Sequence, residues 1–253
     1  MKQQSIDLLK APSGKPLTLF REGRNEFLQT SIGEKYPVKD GIICFLNDNS
    51  ITGNNRNFQK MYDRIARFYD ISVKLYALIK EGSEKKRLFE YLSLIEVKDG
   101  NKVIEISIGT GRNIKYLNPN AEYFGVDISK GMLRRCRQKM IRNKREIILI
   151  QAEAESLPIR NETFDVVFSA GGFNFFNYPD KAVLEMLRIA KSGTKILITD
   201  ETEKFRLKHA RDNFYKKIPI QDPRIFLPSS CANIEYKEIC NGDLYVLTFE
   251  KLK

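Results

Sequence analysis

The 253-residue chain carries 43 Lys and Arg against 32 Asp and Glu, a formal charge of +11, with 42% hydrophobic residues. That is apolar material for one full α/β domain and a small extra module, and no run approaches the roughly 18–20 apolar residues of a membrane span. One histidine, His209, and four cysteines, Cys44, Cys136, Cys231 and Cys240, show no CxxC or other ligand spacing, so no metal site is expected and the thiols read as inert.

In chain order, residues 1–46 read as a small β-rich module. Short β-prone pieces (17–20, 27–30 and 42–46) are broken by Pro12, Gly14, Pro16, Gly23, Gly33, Pro37 and Gly41. The opening MKQQSIDLLKAPSGK lacks the apolar stretch of a secretory signal, so a cytoplasmic location is expected. Residues 47–56, NDNSITGNNR, are turn chemistry and read as a linker. From Asn57 the period changes: Phe58, Met61, Tyr62, Ile65, Phe68 and Tyr69 recur at helical spacing. Ser83 resembles the N-cap of a second helix carrying Leu88, Phe89, Leu92 and Ile95. This helical lead-in covers 57–98.

From residue 99 strands and helices alternate. Strands are expected near 102–107, 122–127, 146–151, 164–169 and 194–199, and helices near 112–117, 130–141, 180–190 and 203–217. Alternation of this kind predicts a doubly wound, mostly parallel sheet. The end differs, because two β-prone runs, 233–240 and 244–251, flank Asn241-Gly242-Asp243, a hairpin signal.

The segment 103–127, VIEISIGTGRNIKYLNPNAEYFGVD, joins an apolar strand to a turn with Gly109 and Gly111. A polar helix start at Arg112 and Asn113 and a second strand ending on Asp127 follow. Backbone amides and a carboxylate then meet at one sheet edge, the place where nucleoside cofactors bind. Ser107-x-Gly109-x-Gly111 lacks the third glycine of a dinucleotide fingerprint, since Ile114 stands where a small residue is needed. Glu105 suits an ammonium and would repel a pyrophosphate, whereas Asp127 suits a ribose diol in either kind of cofactor.

Four ordered motifs extend this segment over residues 57–253. They are Tyr62-Asp63-Arg64-Ile65-Ala66-Arg67-Phe68-Tyr69-Asp70, Glu105 to Gly111, Gly125-Val126-Asp127, and Glu153-Ala154-Glu155-Ser156-Leu157-Pro158 with Phe164-Asp165-Val166-Val167. With these the chain resembles the class I S-adenosylmethionine-dependent methyltransferases of the ubiquinone/menaquinone C-methyltransferase kind, methyltransferase type 11. The resemblance implies a Rossmann-like, mostly parallel seven-stranded sheet ending in an antiparallel hairpin. S-adenosyl-L-methionine is the cofactor it implies.

It also implies roles. Glu105 would orient the methionine ammonium, and the amides from Ile106 through Ser107 and Gly109 to Gly111 would pass beneath the cofactor. Asp127 would take the ribose hydroxyls and Ile128 the adenine face. Glu153 would accept from the adenine amino group while the Ala154 amide donates to the ring. Ser169 and Ala170 would border the transferring methyl, and Tyr69 would close over the methionine end. Two departures stand out: Ser107 replaces a glycine where the backbone needs an unusual φ, and Glu153 replaces an aspartate. Tyr36-Pro37-Val38-Lys39-Asp40-Gly41-Ile42 resembles the end of small zinc-ribbon-like domains but has no cysteine before Cys44.

No side chain announces itself as catalytic, because methyl transfer from a sulfonium needs chiefly alignment in a dry pocket. Gly171-Gly172-Phe173-Asn174-Phe175-Phe176-Asn177 follows the fourth strand, where the resemblance implies the acceptor side, with Phe173, Asn174 and Tyr62 as substrate candidates and His209 as a weaker one. A small apolar or amphipathic acceptor is the first expectation. RNA is the runner-up, through the basic segment 130–145, which holds eight Lys and Arg and no acid. A solvated helix face is the plainer reading of that segment, and peripheral contact with anionic lipid another. A non-catalytic cofactor-binding regulator is the third reading of the chain.

Overall fold

The computed structural model describes residues 3–47, 51–81, 84–209 and 220–252, with side chains except at 67–70, 72–74, 76–81, 84 and 209. Eleven strands form one sheet. A short helix α1 (Gln3–Ile6) precedes β1 (Thr18–Glu22), β2 (Asn25–Gln29), β3 (Lys35–Lys39) and β4 (Ile42–Cys44). Helices α2 (Gly53–Glu81) and α3 (Glu84–Leu92) lead into β5 (Lys102–Ile106), β6 (Glu122–Asp127), α4 (Lys130–Arg142), β7 (Ile148–Gln151), β8 (Val166–Ala170) and α5 (Pro179–Ile189). Last come β9 (Lys195–Glu201), α6 (Glu203–His209), β10 (Cys231–Ile239) and β11 (Leu244–Lys251).

The strand order is β1-β2-β3-β4-β7-β6-β5-β8-β9-β11-β10. Strands β7, β6, β5, β8 and β9 are parallel, and the β10–β11 hairpin closes antiparallel on β9. This is the expected Rossmann-like, seven-stranded core. Its parallel strands are buried on both faces, as their Val, Ile and Leu runs require. One face carries Ile104, Ile106, Val126, Ile150, Val167 and Ile198. The other carries Val103, Leu149, Phe168 and Leu197 with Leu133, Cys136 and Met140 of α4. Each such side chain contributes about 1.5–3 kcal/mol of transfer free energy.

The ends of the elements follow local chemistry. Ser129 caps α4 by accepting from the Met132 amide, and Lys139 and Arg142 sit at its negative end. Pro179 opens α5. The β10–β11 turn takes Cys240, Asn241 and Gly242 through positive φ, so Asn-Gly works there as expected.

Three expectations are corrected. The glycine turn is followed by a single 3-10 turn, Ile114–Tyr116, not a helix over 112–117. Only seven residues separate Gly111 from Pro119, and Leu117 is already extended ahead of Asn118-Pro119. Residues 51–56 of the segment read as a linker are built in: Ile51 is fully buried and α2 starts at Gly53. Asn177 fastens that start, its Oδ1 accepting from the Asn54 amide at 2.8 Å and its Nδ2 donating to the Thr52 carbonyl at 3.0 Å. Nor does the N-terminal module stand apart, because β4 pairs in parallel with β7 and Ile6, Leu9, Leu28 and Ile43 join the main core. The expected Ser83 cap and the helix beyond His209 lie outside the described residues.

Candidate active site

A cavity of about 410 Å³ opens at the C-terminal edge of the parallel strands. Helix α2 supplies Asn55, Phe58 and Tyr62; α3 supplies Arg87, Leu88 and Tyr91. Below lie Glu105, the turn from Ser107 to Thr110, Arg112, Asn113, Asp127 and Ile128. Ala170, Gly171, Gly172, Phe175, Phe176, Thr199, Asp200, Glu201, Phe205 and Leu244 complete the far wall. A smaller adjoining cavity, about 30 Å³, is lined by Ile106, Ser107, Asp127, Ile128, Ala152, Glu153, Ala154 and Glu155.

Glu105 is the most constrained group. It is 1% exposed, its Oε1 accepts from Asn113 Nδ2 at 2.6 Å, and its Oε2 is buried with no partner. Asn113 is oriented by the Tyr91 hydroxyl, which donates to its Oδ1 at 2.7 Å. Burial, only partly offset by the Asn113 bond, pushes the Glu105 carboxyl up to about 8. An unpartnered carboxylate oxygen in the wall of a cavity is a seat for a cationic amine.

Asp127 is held from both sides. Its Oδ2 accepts from the Gly109 amide at 2.8 Å and its Oδ1 from the Ser129 amide at 2.9 Å. Burial raises it to about 6, against those amide bonds. Each oxygen keeps a free lone-pair direction, so a diol can still donate to it.

The turn between these acids is tight. Ser107 stands at φ 60, a left-handed backbone that costs a residue with a Cβ about 1 kcal/mol or more, so the departure from glycine carries a real conformational cost. Gly111, at φ 67, packs against α4: an added Cβ would lie 2.6 Å from Cys136 Sγ. Gly111 lines neither cavity, so its role is packing.

Glu153 and Ala154 lie in the smaller cavity, but the Glu153 carboxylate already accepts from Asn55 Nδ2 at 2.9 Å. The same amide reaches Glu155 at 3.2 Å. An adenine amino group would share or replace the Asn55 bond.

The acceptor side departs from expectation. Ser169 is fully buried and lines neither cavity, while its neighbour Ala170 does line one. Phe173 is buried against Phe176 and Phe226, away from the cavity. Asn174 is structural: its amide donates to Asp200 Oδ2 at 2.9 Å and its Nδ2 to the Glu201 carbonyl at 2.9 Å. The neighbours Phe175 and Phe176 face the space instead, since two glycines and a 3-10 turn rotate the loop. Tyr62 does line the cavity; the side chains of Tyr69 and His209 lie outside the described residues.

Asp200 and Glu201 were not anticipated. Burial raises Asp200 to about 6, and burial followed by the Asp200 charge raises Glu201 to about 7. An apolar strand ending on acids, the signature that marked Asp127, would have found them.

At least three of the eight basic residues in segment 130–145 are engaged by protein groups, one of them in an exposed pair. Arg145 donates to the carbonyls of Ile114, Leu117 and Asn118, Lys139 donates to Thr110, and Arg134 lies 3.4 Å from Asp40. Among the described residues no helix is long and apolar enough to cross a membrane.

The parallel sheet, the glycine turn and the acids at its edge define a nucleoside-binding type of core of the Rossmann-like class. Within that class, residues 104–198 match the family model described as "Methyltransferase domain". Among sequence relatives, the ubiquinone/menaquinone biosynthesis C-methyltransferase UbiE of Syntrophotalea carbinolica is 30% identical over 143 residues, 55% of this chain and 59% of that protein. The demethylmenaquinone methyltransferase of Renibacterium salmoninarum is 27% identical over 141 residues, 55% of this chain and 56% of that one. The match thus spans somewhat more than half the length of either relative.

Solved structures agree on the fold. A chain from the complex of the Haloferax volcanii Trm112 methyltransferase activator with its methyltransferase superposes with a TM-score of 0.61 at 16% identity, covering 76% of this chain and 98% of that one. The [4+2]-cyclase SpnF superposes at 0.64 and 13% identity, covering 79% and 97%. At such identities the likeness concerns the fold, and the cyclase shows that the fold alone does not fix the reaction.

Proposed function

We propose that the protein transfers a methyl group from S-adenosyl-L-methionine to a small apolar or amphipathic acceptor, and that a reduced quinone is the first acceptor to try. The observation that carries the cofactor half is Glu105 Oε2, a buried acceptor with no partner in the cavity wall. Glu105 would take the methionine ammonium, with Arg112 in the same wall for its carboxylate. Asp127 would take the ribose hydroxyls, and Ile128 with Ala154 would enclose the adenine. Bound there, the cofactor supplies an electrophilic methyl; the protein supplies placement and exclusion of water.

The acceptor half is supported by composition. Phe58, Tyr62, Phe175, Phe176 and Phe205 give the cavity an aromatic lining. The sequence relatives are named for quinone methylation. RNA draws less support, because Arg134, Lys139 and Arg145 of the basic segment are tied to protein groups.

Calorimetry with S-adenosylhomocysteine tests the cofactor half, and micromolar binding is the expected result. No binding at high micromolar concentration would falsify it. Transfer of a labelled methyl into reduced quinones, with RNA and other lipid fractions in parallel, tests the acceptor half.

A further inference from the structure

The far end of the cavity holds a second acid whose placement the cofactor does not explain. Side chains alternate between faces along a strand, and parallel partners in register share a face. Glu105 is level with Phe168, and Phe168 with Leu197, so Glu105, Leu197, Thr199 and Glu201 all lie on the face covered by α3. Four residues along β9 and two strands across put the Glu105 and Glu201 Cα atoms roughly 16 Å apart on a regular sheet. That span leaves room between the carboxyls for a methionine end and an acceptor.

Glu201 is also kept in place. It closes β9 opposite Leu244 of β11, and its carbonyl is held by Asn174 Nδ2. Its neighbour Asp200 accepts from the Asn174 amide at 2.9 Å and from the Glu201 amide at 2.8 Å, which fixes its carboxylate against the backbone. Glu201 lines the cavity beside Phe205 and the Gly171-Gly172 approach.

Resting on the function proposed above, we propose that Glu201 receives the proton that an acceptor hydroxyl must lose during methylation. The acceptor O–H bond breaks, its electron pair stays on the acceptor oxygen, and the proton joins a Glu201 carboxylate oxygen before passing to water. The phenolate oxygen, or the ring carbon beside it, then bonds the methyl as the S–CH3 bond breaks with its pair on sulfur. Methylation at carbon also releases that carbon's proton to water. The charged groups facing Glu201 are Asp200 on its own strand, Arg206 on α6, Arg87 on α3 and Asp243 in the hairpin turn. Burial and Asp200 outweigh the two arginines and set Glu201 near 7, matched to a proton acceptor at neutral pH. The acceptor class this selects is a hydrophobic molecule with an acidic hydroxyl, a phenol or hydroquinone.

The test uses wild type, Glu201→Gln and Glu201→Asp. All three should bind S-adenosylhomocysteine within about threefold of one another. In the S-adenosylhomocysteine complex, carbon-13 NMR of labelled glutamates should show one carboxyl titrating near pH 7, lost in Glu201→Gln. With a prenylated dihydroxynaphthalene as acceptor, Glu201→Gln should lose about 100-fold in kcat with KM little changed, and Glu201→Asp should recover part of it. Three results overturn the proposal: Glu201→Gln keeping more than a third of kcat, no glutamate titrating between pH 6 and 8, or a wild type that binds S-adenosylhomocysteine yet methylates no hydroquinone. Failure of the wild type to bind S-adenosylhomocysteine removes the cofactor reading first, and this inference with it.

Discussion

The two ends of the cavity are built alike and tuned differently. At each end one aspartate is held by two backbone amides: Asp127 by Gly109 and Ser129, and Asp200 by Asn174 and Glu201. Both sit near 6. Beside each stands a glutamate with fewer donors, Glu105 raised to about 8 and Glu201 to about 7. The aspartates shape the backbone. The glutamates accept from fewer backbone amides and keep more of their bonding capacity for a ligand. Degree of burial separates the two glutamates: both line the cavity, but Glu105 is 1% exposed beside Asn113 and Tyr91 whereas Glu201 is only partly buried.

The strongest way to break this comparison is Glu105→Gln. It should weaken S-adenosylhomocysteine at least 100-fold by calorimetry, because an ion–ion contact in a dry wall becomes a dipole contact. The same change should raise apo stability at pH 8 by about 1–3 kcal/mol in chemical denaturation, since a buried charge is removed. Gly111→Ala tests packing instead: its Cβ would press on Cys136 Sγ at a left-handed φ, and a loss of about 2–4 kcal/mol is expected in the same measurement.

Stability against pH sharpens the contrast further. Both glutamates are raised above their unfolded values, so the folded state favours their protonated forms. That stability is complete below about pH 4.5, and it is lost as pH rises through 7 for Glu201 and through 8 for Glu105. The melting temperature should therefore fall between pH 5 and 8.5, and Glu105→Gln should flatten the upper part of that fall. Asp200→Asn should move the Glu201 titration below 7, because a like charge beside it is removed. The smallest effect is Ser107→Gly, which relieves the left-handed strain and should gain about 1 kcal/mol in denaturation if the loop stays ordered.

Much of this was legible in the chain. Apolar runs punctuated by polar helices gave the parallel core, Asn241-Gly242 the hairpin, and the acids after Ile104 and Val126 the cofactor edge. What escaped depended on partners distant in sequence. The expected strand stops at 199, yet Asp200 and Glu201 pair with Tyr245 and Leu244 and so remain strand. Phe173 and Asn174 are of the right types to meet a substrate, but Phe226 and Asp200 claim them. Asn55 read as linker, and only the fold brings it to Glu153. The absent helix after Gly111 had a signal in Pro119, whose restriction on the preceding residue limits what fits between them.

The pairing of β4 with β7 has a consequence for behaviour at high concentration. Without the first four strands, Ile148–Gln151 would present an apolar row of unpaired amides and carbonyls, a template for joining another copy. With them, the sheet ends instead at β1, where Arg21 and Glu22 are exposed and Arg21 is bonded to Glu26. Residues before the core therefore serve as a guard against edge-to-edge aggregation, whatever else they contact.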